Sequence, residues 1–259
     1  MQRQKAITSL KNIAWVVLVI ILIMSVASMV EKKKTAKMLE VSVNIKSLPD
    51  GNDLITKGDV FQLLDRSFGY SMEGIAQSEV NIERIESVLG KDPFVLRAEA
   101  FLTANNKVAI ELEQRIPIMR IIDKMELSYY LDESGNKLPL SKHFTARVLV
   151  ASGNIPPHIP DFMDKKGHLL NQIYVLGNKI IADDLFAPLI EQIFVTQKNE
   201  FVLIPKLGNQ KILLGQYRNI EEKLENLKIF YKNAIAQKGW QKYKTYDLRY
   251  NGQVIAEKK

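Results

Sequence analysis

The strongest constraint on this chain is the run IAWVVLVIILIMSVASMV from Ile13 to Val30, which contains no charged residue. At 1.5 Å per residue it makes a helix of about 27 Å, close to the roughly 30 Å of a bilayer's hydrocarbon. A helix facing water needs a polar side, and only Ser25 and Ser28 interrupt this run. A buried core helix is therefore a poor reading. Trp15 near one end suits the headgroup level, and Ile20, Leu22 and Val30 lie along the span. Ser25-Val26-Ala27 offers small residues at signal-cleavage spacing, but the apolar stretch exceeds the roughly 7–15 residues of a signal core. We read residues 1–12 as a cytoplasmic tail, 13–30 as an uncleaved transmembrane helix and 31–37 as a linker.

Charge does not set the orientation. Arg3, Lys5 and Lys11 precede the run, and Lys32, Lys33, Lys34 and Lys37 follow it with Glu31. The bulk of the 259 residues follows the run, as in a signal-anchor, so the expectation is a single-pass protein with its C-terminal part outside the cytoplasm. The net charge of +7 comes from lysines spread along the chain, whereas a nucleic-acid site gathers them on one face. Cysteine is absent, which removes disulfides and thiolate metal sites.

After the linker, Val41, Val43 and Ile45 alternate within Met38–Leu48, which predicts a strand. Thr56 and Asp59 form a capping box ahead of Val60, Leu63 and Leu64. Asn81 to Leu89 is a second short helix, with Ile82, Ile85, Val88 and Leu89 inward and Gly90 ending it. Pro93–Thr103 and Lys107–Arg115 then read as a hairpin around Asn105-Asn106. The order strand–helix–helix–strand–strand fills residues 38–117.

Residues 118–256 read as a β-rich domain with an open sheet and packed helices. Tyr129–Pro139 is a hairpin turning at Gly135, and Val148–Gly153 is a buried-type strand before Pro156, Pro157 and Pro160. Asp183–Val195 carries apolar residues at helical spacing, with Pro188 kinking or delaying the helix. Glu200–Ile204 and Lys211–Leu214 are strands. Asn219 and Glu222 suggest a capping box for a helix striped by Ile220, Leu224, Leu227 and Tyr231 and ended by Gly239. A last strand covers Lys244–Tyr250, with Asn251-Gly252 and Gln253–Ala256 beyond it.

Catalysis finds no foothold. Ser134 and Lys137 match an S-x-x-K spacing, but in a glycine turn, without the partner motifs that chemistry requires. His143, His158 and His168 are scattered and read as surface-loop residues; Asp183-Asp184 reads as helix N-terminal charge. Trp240, Tyr243, Tyr246 and Tyr250 interleave with Lys242, Lys244 and Arg249, a mix that can stack single-stranded nucleic acid. Alternation instead places Tyr246, Leu248 and Tyr250 on one strand face, which is packing. We expect no cofactor, no metal, no nucleic acid and no small-molecule substrate.

The ending Val108-Ala-Ile-Glu-Leu-Glu-Gln-Arg-Ile-Pro117 and the element order before it resemble a POTRA module. Behind a single anchor, and followed by the Tyr129–Gly135 hairpin and Asp247-Leu-Arg-Tyr250, it is similar to the FtsQ/DivIB family of bacterial division proteins. The fold implied is α+β: a transmembrane helix, a POTRA-like β-α-α-β-β module and a β-domain. The resemblance implies a non-enzymatic scaffold of the divisome, in the inner (plasma) membrane at the septum with its bulk in the periplasm. It would recruit FtsB- and FtsL-type partners by strand addition at the C-terminal edge. Carried over by position, Tyr250, Gly252, Gln253 and Val254 line that contact, with Lys223 a further candidate. Asn251-Gly252 forms either a bulge or a hairpin; the latter moves the edge to Gln253–Ala256. The rival reading is a POTRA-containing factor for secretion or outer-membrane protein assembly, which would need a C-terminal barrel this length does not supply.

Overall fold

The computed structural model of the chain describes residues 15–29, 40–72, 74–103, 105, 107–235 and 242–258. Residues 15–29 are helical (α1), and every large apolar side chain among them is exposed. Among the described residues no helix is long and apolar enough to cross a membrane. Ile13, Ala14 and Val30, the ends of the expected span, lie outside the described residues, as do Met38, Leu39, Asn106, Gly239 and Trp240. The chain divides into two compact units, Met1–Gln114 and Arg115–Lys259.

In the first unit, β1 (Glu40–Lys46) pairs parallel with β3 (Lys107–Gln114), which pairs antiparallel with β2 (Val95–Leu102). Helices α2 (Lys57–Phe68) and α3 (Ile82–Leu89) pack on it, and Val43, Val60, Leu64, Ile85, Leu89 and Ile110 form the core. The capping box of α2 is present: the Asp59 N–H donates to the Thr56 hydroxyl, and the Asp59 carboxylate accepts from the Thr56 N–H at 2.9 Å. Gly90 follows α3 with right-handed φ of −66°, so it ends the helix without the left-handed turn that favours glycine.

Two side chains close these units from inside. Gln114 is buried at the end of β3; its Oε1 accepts from the Leu54 N–H (2.7 Å) and the Ile55 N–H (3.3 Å). Its Nε2 donates to the Lys46 carbonyl at 3.0 Å and to Asp53 Oδ1 at 2.9 Å. One amide thus ties together β1, the loop before α2 and β3. In the second unit, buried Asp132 closes the hairpin that was read around Gly135. Its Oδ1 accepts from the Ser134 and Asn136 N–H groups, and its Oδ2 pairs with Arg115 at 2.9 Å. Ser134 lies in that turn, as the glycine predicts, and Lys137 opens the strand after it.

The second unit is, among the described residues, a nine-stranded sheet in the order β12-β11-β10-β9-β8-β7-β4-β5-β6, where β11 is Tyr243–Asp247 and β12 is Ile255–Lys258. β4 (Pro117–Ile122) pairs antiparallel with β5 (Ser128–Asp132) and parallel with β7 (Leu149–Gly153); β6 (Lys137–Leu138) ends that side. β8 (Ile190–Val195) runs parallel to β7, and β9 (Phe201–Pro205) and β10 (Lys211–Gly215) follow antiparallel. Helices α4 (Leu169–Ile181) and α6 (Ile220–Phe230) contribute Ile173, Leu176, Ile180, Leu224 and Leu227 to a core with Met119, Ile121, Ile193 and Leu203.

Three expectations change here. The helix expected over Asp183–Val195 is a single turn, α5 (Phe186–Leu189), running directly into β8. The register slips between Ile190 and Gln192, so the inward residues Ile190, Ile193 and Val195 imitate helical spacing inside a strand. Asn219 does not cap α6: it adopts left-handed φ 51°, ψ 38° and makes no side-chain cap bond. The helix then widens into a π-helical turn at Tyr231–Ile235. Finally, no element was expected for α4, whose buried face lies in the core, or for β4, which joins β5 to β7 in the sheet.

Candidate partner-binding edge

The last two strands are built on aromatic packing. Tyr246, in β11 (Tyr243–Asp247), is fully buried, with the rings of Phe230, Tyr231 and Tyr243 at 5.3, 5.8 and 5.9 Å. Burial, aided by Tyr243, pushes its hydroxyl up to about 12. Among the described residues that hydroxyl has no hydrogen-bond partner. Such a ring cluster fixes β11 against α6 and the π-turn rather than offering stacking faces to nucleic acid.

β11 runs parallel to β10, with Ile212 opposite Tyr246, and the Leu248 N–H extends the ladder to the Leu213 carbonyl at 2.9 Å. The chain then leaves the sheet. Asp247 accepts from the Arg249 N–H at 3.0 Å and grips its guanidinium at 2.9 and 2.6 Å. The Arg249 guanidinium holds the Asp247 carboxyl below its ordinary value. The Arg249 stem lies against Gly215, where a Cβ would come within 2.8 Å of its Cγ. This clasp turns the backbone outward, so Tyr250 is 55% exposed instead of sharing a strand face with Tyr246 and Leu248. The sequence contained the Asp-x-Arg spacing, but a continued strand would have put both on a polar face without the turn.

Gly252, at φ +68°, brings the chain back, and β12 (Ile255–Lys258) pairs antiparallel with β11, Asp247 opposite Ile255 and Tyr246 opposite Ala256. Of the two alternatives the hairpin is the one formed, with Asn251-Gly252 at the tip of a longer loop from Leu248 to Val254 and the edge at Ile255–Lys258 instead of Gln253–Ala256. β12 is the edge of the sheet, and among the described residues no strand lies beyond it. Val254 and Ala256 pack on the core, while Ile255 stays 45% exposed and Gln253 is exposed.

The remaining expected residues are placed as follows. Lys223 is half-buried and donates to the Leu214 carbonyl at 2.6 Å, closing the end of β10; burial pushes its ammonium below the ordinary value. Trp15, Ile20 and Leu22 are exposed on α1. Asp183 lies just before α5, accepting from the Leu185 and Phe186 N–H groups at 2.9 and 3.2 Å, and pairs with Lys228 of α6 at 2.6 Å. His168 accepts from the Leu170 N–H at the start of α4. His158 is not a surface-loop residue: it packs edge-on between Tyr129 and Phe162. Among the described residues no group of His, Cys, Asp or Glu could hold a metal ion.

A three-stranded β-α-α-β-β module followed by an open mixed sheet with a bare C-terminal edge defines a two-domain protein of the POTRA-bearing class. Comparison with protein families agrees: residues 37–113 match the POTRA-like domain. Residues 116–257 match the family described as FtsQ/DivIB, C-terminal related, and the chain belongs to that family. No curated protein matches the chain. These two domains fit a scaffold of the division machinery.

Proposed function

We propose that this protein is a non-enzymatic, membrane-anchored divisome scaffold that recruits FtsB- and FtsL-type partners to the septum through the β12 edge. The observation that carries this reading is the bare edge of β12, with Ile255 and Tyr250 exposed beside it. A strand added there gains main-chain bonds for affinity and alternating side-chain contacts for register. The clasp of Asp247 and Arg249 fixes the loop before the edge, so this side of the contact needs little further ordering when a strand is added. Lys223 supports this end from within the fold rather than touching the partner. The exposed apolar surface of α1 supports an anchor in the inner membrane.

Co-purification of the full chain with FtsB- and FtsL-type proteins of the same organism tests the edge. Ile255→Asp and Tyr250→Ala should each weaken capture about tenfold with an unchanged circular dichroism spectrum. Undiminished capture by the double variant would sink the interface. A fluorescent protein fused ahead of Met1 should give a midcell band during constriction; even labelling of the whole envelope would count against the septal role.

A further inference from the structure

A second concave surface lies far from β12. It is a groove of about 620 Å³ at the starts of β4, β7 and β8, bounded by the end of α4 and by Lys206 after β9. Between β12 and β8 stand β11, β10 and β9, so at about 4.8 Å per strand the groove is roughly 19 Å from the edge along the sheet. Its wall is apolar through Val148, Ile118 and Ile181, the last 38% exposed.

The charges around it are unbalanced. Arg120, Arg147 and Lys206 line the groove against one carboxylate, Glu191. Two other arginines of this domain are matched: Arg115 pairs with Asp132 and Arg249 with Asp247. Arg120 is different. Half-buried, it donates Nε to the Ser128 hydroxyl at 2.8 Å, and among the described residues neither its terminal nitrogens nor Arg147 has an acidic partner. Among the described residues the Lys206 ammonium donates to the Ala187 carbonyl, at 3.3 Å, and has no acidic partner. A guanidinium fixed at Nε with both Nη groups free is prepared for two-point contact with a carboxylate.

We propose that this groove docks an acidic peptide segment of a partner protein, one that seats an apolar side chain between carboxylates. The chain's own segments outside the structure do not fit: residues 1–12 hold Arg3, Lys5 and Lys11, and residues 31–37 hold four lysines against Glu31. A second copy is disfavoured by its net charge of +7. A lipid acyl chain would leave Arg120, Arg147 and Lys206 without a counter-charge. Because β12 is several strands away, the two surfaces can be occupied together, and the scaffold would then bridge two partners.

The test uses the full chain in neutral-lipid nanodiscs, titrated with a fluorescent peptide alternating leucine and glutamate and with its glutamine counterpart. The glutamate peptide should bind about tenfold more tightly than the glutamine one and weaken with salt. Arg120→Gln with Arg147→Gln should remove that preference, while Ile255→Asp leaves it intact; this separates the groove from the edge. Should the Arg120 variant fail to fold, Arg147→Gln with Lys206→Gln, both on exposed residues, should give the same loss. Equal binding of both peptides, no binding, or indifference to these substitutions overturns the proposal. So does binding of phosphatidylglycerol vesicles in place of the peptide.

Discussion

At the scale of single residues, Gln114 shows what a buried amide does when all its capacity is used. It meets two N–H donors and two oxygen acceptors, so Gln114→Leu strands buried backbone groups without removing volume. The expected loss is about 2 kcal/mol, read as amide exchange at Leu54 and Ile55 accelerating roughly thirtyfold. The sequence marked the end of β3 through Glu, Arg and Pro, but not this role. Four-way satisfaction needs segments some 60 residues apart, and no local pattern encodes it. His158 is a second case. Burial, then Lys137, lowers its pKa below the ordinary 6.5, so the fold prefers the neutral ring. That contribution is complete above the unfolded value and is lost as pH falls through the lowered folded value. The denaturation midpoint should therefore drop between pH 7 and pH 5, and the drop should be smaller in His158→Leu.

At the scale of elements, α6 separates two accounts of its start. A capping residue would tolerate threonine, whereas the left-handed backbone at Asn219 penalises a β-branched side chain. Asn219→Thr should cost about 1 kcal/mol and Asn219→Gly should be neutral or slightly stabilising, as measured by urea unfolding. The opposite end of the same helix is tied to the turn before α5 by Lys228 and Asp183. Lys228 holds the Asp183 carboxyl below its ordinary 3.8. Its stabilisation is present above that value and disappears as pH falls through the lower folded one, so Asp183→Asn should flatten the acid limb of the stability curve below about pH 4. Capping box and apolar stripe were both readable for α2, where side chains act on neighbouring backbone. For β8 they misled, because a bulge converts period two into an apparent helical period.

At the scale of the whole molecule, the second domain depends on α4 lying close over β4. Gly177 permits that approach: a Cβ there would fall 1.8 Å from Met119 Cε, and Met119 is fully buried. Helix propensity alone would make Gly177→Ala stabilising by about 1 kcal/mol. Overpacking should reverse the sign to a net loss of about 1 kcal/mol, visible as a lower urea midpoint at unchanged m-value. The glycine also explains why α4 escaped notice, since a mid-helix glycine reads as a breaker until the sheet beneath it is seen.

Two kinds of information thus divide cleanly. The sequence by itself determined the apolar run at the N-terminus, the β-α-α-β-β module, the hairpin at Gly135 and the family, because each depends on short-range periodicity, turn chemistry or an ordered set of local motifs. Tertiary structure alone decided which strand became the edge. Asp247 and Arg249 close a turn only because Gly215, on β10, leaves room for the arginine stem. It also brought Arg120, Arg147 and Lys206 around one groove, since parallel pairing of β4, β7 and β8 aligns strand starts that lie far apart in the chain.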